Sequence, residues 1–139
     1  MDDMALLIAD VYELAGALRR SGEALAATEG QTQARWQLLS AVSAGGMTVA
    51  RAARRLGVTR QAVQRVGNDL VADGLARYVE NPDHRTSPLL VLTDRGQHTL
   101  QAINRRATAS HRRLSEAVGA TTIAETRSGV SELMAALVQ

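Results

Sequence analysis

The chain has no cysteine, no lysine and no phenylalanine, and its 139 residues include one tryptophan, two tyrosines and two prolines. Without cysteine there can be no disulfide, thiolate metal site, iron–sulfur cluster or thiol redox sensor. No apolar run reaches the roughly 18 residues a membrane-spanning helix needs. The start, Met1-Asp2-Asp3, is acidic where a secretion signal would be basic, so a soluble cytoplasmic protein is expected. Two glycine signatures of chemistry are missing too: a phosphate-cradling loop and a Gly-x-Ser-x-Gly elbow. The three histidines are His84, His98 and His111, and the step from His98 to His111 does not match the four-residue spacing of a helical metal site. The expectation is therefore a protein that is not an enzyme and carries no metal or cofactor.

What is present suits one folded domain. Hydrophobic residues make up 45% of the chain, enough for a core. All 16 basic residues are arginine, against 14 acids. Their placement says more than the net charge of +2. Residues 51–113 hold 12 Arg and 5 acids, while the flanks together hold 4 Arg and 9 acids. A basic centre between acidic ends fits either a surface that meets a polyanion or a solvated Arg-rich helix face.

Hydrophobic spacing divides the chain into helices. Met4, Leu7, Ile8, Val11, Leu14 and Leu18 recur at three- and four-residue steps and mark one apolar helix face, with Ser21-Gly22 as a stop signal. A second helix is expected from about Gln31, carrying Trp36, Leu39 and Val42 and ending at Gly45-Gly46. Thr48 caps a short third helix with Ala52, Ala53 and Leu56 inward, and Gly57 interrupts it. Thr59 caps a fourth with Ala62, Val63, Val66 and Leu70 inward, closed by Gly74. Two apolar stretches, 75–79 and 89–92, flank the polar run from Glu80 to Pro88 and read as a hairpin with a long tip. Thr93 opens a long helix to about Val118, and after Gly119 a last helix carries Ile123, Val130, Leu133, Met134, Leu137 and Val138. The expected fold is mainly α with a small β-hairpin.

The stretch from Thr48 to Asn68 is the most specific. Two short helices meet at Leu56-Gly57-Val58-Thr59, where glycine can take positive φ without strain. Ala53 is small enough for the helices to cross closely, and Ala52, Leu56, Val58, Val63 and Val66 fall where the crossing needs apolar contacts. This is a helix-turn-helix pattern, and with the following hairpin it becomes a winged helix. The second helix would enter the major groove of double-stranded DNA with Arg60, Gln61, Gln64 and Arg65 outward. Thr59 is a cap and a phosphate contact, Arg54 and Arg55 are candidates for phosphate contact, and Arg85 is the wing residue for a minor groove.

Here the chain resembles the MarR family of bacterial winged-helix regulators. The resemblance spans essentially the whole chain. It is carried by Leu56-Gly57-Val58-Thr59-Arg60-Gln61-Ala62-Val63, Leu70-Val71-Ala72-Asp73-Gly74-Leu75, Asn81-Pro82-Asp83-His84-Arg85 and Leu92-Thr93-Asp94-Arg95-Gly96. It implies a homodimer whose terminal helices, about 1–24 and 120–139, intertwine, while a lobe of about 31–96 holds a DNA half-site and a helix of about 94–118 connects them. Members commonly repress genes and often release DNA on binding a small-molecule effector. Family wings typically read acidic-Arg-Arg, whereas this one reads His84-Arg85-Thr86, so Arg85 is the single basic match.

The apolar faces of the first and last helices also argue for a dimer, because so short a chain has little else to cover them. The expected interface residues are Leu7, Val11, Leu14, Ile123, Val130, Leu133, Leu137 and Val138. For an effector, the family's usual position implies Trp36 and Leu39 as lining residues and Arg35 as an anion partner, with plain core as the other reading of Trp36. The expected function is a sequence-specific transcriptional regulator acting as a repressor on a near-palindromic operator. The alternative is a winged-helix dimer that serves as a protein–protein adaptor without specific DNA binding.

Overall fold

The structure, a computed structural model, describes residues 2–138. The chain divides into two compact units, Met1–Asn104 and Arg105–Gln139. Among the described residues, the first unit contains α1 (Asp3–Ala27), α2 (Gln33–Val42), β1 (Met47–Thr48), α3 (Val49–Leu56), α4 (Arg60–Ala72), β2 (Ala76–Val79), β3 (Leu89–Leu92) and the start of α5 (Asp94–Val118). The second unit holds the remainder of α5, followed by α6 (Ala120–Leu137). This is a mainly α winged helix-turn-helix fold with one small antiparallel sheet.

Local chemistry explains most boundaries. Asp2, Thr32, Thr48 and Thr59 each accept a hydrogen bond from a backbone N–H three residues on, which satisfies one orphan donor at the start of α1, α2, α3 and α4. Gly57 ends α3 in the left-handed region, φ 69°, ψ 33°, and lets the Val58 N–H return to the Ala53 carbonyl at 3.1 Å. That bond makes the tight turn between α3 and α4.

Two expectations need correcting. The first helix does not stop at Ser21-Gly22 but runs on to Ala27. Gly22 is a packing residue: a Cβ there would lie 2.8 Å from Gln33 Cγ of α2. Beside it, Glu23 Oε1 accepts the Gln33 N–H at 2.7 Å, so α1 caps α2 where the two approach. The sheet also has three strands rather than a lone hairpin, in the order β1-β3-β2. Met47 pairs with Leu90 and Thr48 with Leu89, so β3 is the central strand.

The core of the first unit lies where α2, α3, α4 and the sheet meet. Leu38, Leu39, Val42, Ala52, Ala53, Val63, Leu70, Leu75, Leu90 and Leu100 are buried there. Removing a Leu70 or Leu90 side chain from such a site costs about 2–5 kcal/mol in comparable cores. Val58 departs from the expected crossing contacts: it is 48% exposed, at the turn itself. The first turn of α5 is pressed onto the strand entry, where a Cβ on Gly96 would overlap the Leu75 carbonyl oxygen. Thr93 reinforces that junction, its N–H donating to the Leu75 carbonyl and its hydroxyl to the Gly74 carbonyl.

Candidate nucleic-acid interface

The turn at Gly57 and the cap at Thr59 set the direction of α4. Its inward residues, Val63, Gly67 and Leu70, are buried. That orientation leaves Arg60, Gln61, Gln64 and Arg65 exposed on the opposite side. Across from them stands the wing, residues 80–88, carried by β2 and β3. Between helix and wing is an open groove of about 610 Å³, lined by Thr48, Val49, Ala50, Arg60, Gln61, Gln64, Tyr78, Thr86, Ser87 and Pro88. Among the described residues, Arg54, Arg55, Arg60, Arg65 and Arg85 form no salt bridge. With no salt bridge among the described residues, these guanidinium groups are open to a polyanion.

The wing is held by an amide. Asn81 is buried; its Nδ2 donates to the Ser87 carbonyl at 3.0 Å and its Oδ1 accepts the Asp83 N–H at 3.1 Å. The His84 N–H donates to the Asn81 carbonyl, which tightens the tip further. Asn81 thus bridges the two sides of the loop. Arg85 stays exposed at the tip, next to Thr86, whose hydroxyl lies 3.1 Å from His84 Nδ1.

Sequence reasoning missed a second feature. Tyr78, half-buried on β2, reaches α4 across the groove floor, and its OH accepts from Gln64 Nε2 at 2.8 Å. The same OH donates to Asn68 Oδ1 at 3.0 Å. Burial pushes the Tyr78 phenol above its ordinary value of 10.0, with the Gln64 hydrogen bond pulling partly the other way. Helical spacing sets Gln64 beside Asn68, but only the topology brings Tyr78 to them, so the sequence hints are that i, i+4 pair and a tyrosine in a short strand.

Other expected residues are placed elsewhere. Arg55 lines a different groove, of about 410 Å³, with Gln33, Trp36, Gln37, Ser40, Ala41, Leu56 and Asn104. Arg54 is exposed beside it in the last turn of α3, where a cation also suits the helix dipole. Trp36 both packs against the core and borders that second groove, with its indole Nε1 donating to Asn104 Oδ1 at 3.0 Å. Leu39 is fully buried in the core. Arg35 turns instead to Asp73, at the end of α4, in a 2.6 Å ion pair. Arg55 thus shares this groove with Trp36, and Arg35 and Leu39 are not among the residues that line it.

Most of the residues expected at a dimer interface are open to solvent. On α1, Leu7, Val11 and Leu14 are 41%, 43% and 54% exposed, in a stripe that also includes Met4, Ile8 and Leu18. On α6, Val130 and Leu137 are exposed, Ile123 and Leu133 half-buried, and Val138 is exposed just beyond the helix. No described helix is long and apolar enough to cross a membrane.

Comparison with known proteins agrees with this architecture. Residues 30–85 match a family model described as MarR family. The uncharacterized protein Rv2011c of Mycobacterium tuberculosis is 60% identical over 98% of this chain and 95% of its own length. A crystal structure of a MarR family transcription regulator superposes with a TM-score of 0.86 at 23% identity, covering 99% of this chain and 93% of that one. CouR from Rhodococcus jostii RHA1, solved bound to p-coumaroyl-CoA, superposes with a TM-score of 0.79 at 19% identity, covering 95% and 92%.

Proposed function

Since the chain belongs to the MarR family of DNA-binding transcription regulators, we propose that it is a homodimeric repressor that reads a near-palindromic operator. The observation that carries the proposal is the groove between α4 and the wing. It offers Arg60, Gln61 and Gln64 on one side and the wing on the other, and among the described residues Arg60 forms no salt bridge. In this reading α4 enters the major groove, with Arg60 and Arg65 making bidentate contact to guanine and Gln61 contributing a polar base contact. Arg85 reaches into the adjacent minor groove, whose negative potential attracts arginine. Thr59 meets a phosphate through the start of α4.

The dimer rests on the exposed apolar stripe of α1 and the exposed apolar residues of α6. Faces of that kind are characteristically covered by a partner, and a second copy about a twofold axis covers both. Twofold pairing would set the two recognition helices about 34–36 Å apart, one turn of DNA. We assign a small-molecule effector to the groove beside Trp36, where Arg55 supplies a cation, Asn104, Gln33, Gln37 and Ser40 supply polar groups, and Trp36, Ala41 and Leu56 supply apolar wall. The proposal includes no catalytic step, metal or cofactor.

Hydroxyl-radical footprinting on the DNA upstream of the gene, together with a promoter reporter, tests this reading. The expected result is two protected patches one turn apart and a reporter that rises when the gene is deleted. A single unpaired patch would overturn the twofold arrangement, and a reporter that falls on deletion would make the protein an activator.

A further inference from the structure

Gln64 and Tyr78 deepen the DNA-reading proposal, on which this inference rests. A carboxamide has two N–H donors and one acceptor oxygen. Both donors of Gln64 are engaged: Nε2 lies 2.8 Å from Tyr78 OH and 3.0 Å from Asn68 Oδ1. The phenol completes a closed ring by donating its own hydrogen to Asn68 Oδ1 at 3.0 Å. Room for the ring depends on Gly67, where a Cβ would lie 3.0 Å from Tyr78 OH and 3.3 Å from Leu90 Cδ2. Pairing of Tyr78 with Leu90 across β2 and β3 fixes the phenol from the other side.

We propose that Tyr78 acts as a positioning residue for base recognition, holding the Gln64 carboxamide with its nitrogen inward so that Gln64 presents only its oxygen to DNA. A free glutamine pairs with adenine through two bonds, donating to N7 and accepting from N6. The held glutamine can only accept. Its oxygen takes a hydrogen from the exocyclic amino group of adenine or cytosine and is repelled by O6 of guanine and O4 of thymine. At the base it contacts, the protein therefore separates amino from keto bases and treats adenine and cytosine nearly alike.

The experiment is selection of binding sites from a random duplex library by the full chain and by Gln64→Ala, Tyr78→Phe and Asn68→Ala. Thermal melting of each variant checks folding; each ring variant frees one of the two Gln64 amide hydrogens, so either reports should the other fail to fold. The Gln64-dependent base is the position whose preference disappears in Gln64→Ala. There the unmodified chain is expected to accept adenine and cytosine within about threefold and to disfavour guanine and thymine by about tenfold. Tyr78→Phe and Asn68→Ala should each raise adenine over cytosine by about tenfold, as the freed N–H reaches N7. An unmodified chain that already prefers adenine tenfold over cytosine, with neither variant changing it, overturns the proposal and leaves DNA reading intact. So does a clear consensus in which no position responds to Gln64→Ala. Selection of no consensus by the unmodified chain overturns both.

Discussion

Thr59 has two jobs in this account, and two substitutions separate them. Its hydroxyl caps α4 by accepting the Ala62 N–H at 3.0 Å, and it stands where α4 would meet a phosphate. Thr59→Ala removes the cap. The cost is about 1 kcal/mol, which lowers the melting temperature by about 3–5 °C in a chain of this size. Thr59→Asp keeps the cap, because an aspartate oxygen accepts the same N–H and its charge suits the helix N-terminus. Its stability should therefore match that of the unmodified protein within about 0.5 kcal/mol. The same carboxylate faces DNA, however. In water a unit charge about 6 Å from a phosphate is repelled by about 0.7 kcal/mol. Two such phosphates give about 1.4 kcal/mol, a tenfold loss of affinity. Thermal melting and a fluorescence-anisotropy titration on one duplex read both quantities. If Thr59→Asp melts as low as Thr59→Ala, the cap assignment is wrong. If it binds DNA as tightly as the unmodified chain, the start of α4 does not face the phosphates.

Further substitutions probe the frame around the site. Gly96→Ala forces a Cβ into the Leu75 carbonyl, a backbone atom that cannot swing aside, and should destabilise the fold by about 3 kcal/mol in urea melts; a neutral result would show that the α5 start is loosely seated. Tyr78 has a raised folded-state pKa, so the stability it adds is complete below pH 10.0 and is lost as pH climbs through the higher folded value. Between pH 9 and 11 the native protein should therefore lose more stability than Tyr78→Phe, and equal losses would show that the phenol does not matter. Leu7→Glu and Val130→Glu place a charge on the exposed apolar faces of α1 and α6 and should convert a dimer to monomer in sedimentation velocity; dimers that persist in both variants would put the interface elsewhere.

Much of the fold was legible because its signals are local. A capping threonine at 48 or 59 bonds to a backbone three residues away, and Gly57 marks a turn through its own φ. The inward faces of α3 and α4 followed from spacing, and the outward faces gave Arg60, Gln61, Gln64 and Arg65. What stayed hidden depends on tertiary approach. A two-residue strand such as β1 has no periodicity to detect. Gly22 looked like a stop because, read alone, glycine breaks helices, whereas its purpose is to admit Gln33. The destination of Arg35 depends on how α2 meets the end of α4, and that of Arg55 on how α2 and α3 cross, which composition does not encode. Asn81 looked like a loop residue and proved to be a buried brace for the wing. The ring joins Gln64 and Asn68, four apart on α4, to Tyr78 on a strand beyond the turn at Gly74, and no spacing rule reaches that third member.

The central claim is that the groove between α4 and the wing recognises particular DNA. Its most direct test is fluorescence anisotropy of the purified full chain on its own upstream DNA, over a salt series, with random duplex as competitor. The account predicts binding that survives the competitor and weakens steeply with salt, with a log–log slope of about −0.9 for each phosphate neutralised. Arg65→Ala should weaken it by about 1–3 kcal/mol on the specific duplex only. Binding lost equally to random DNA, or none at low salt from a folded protein, would contradict it.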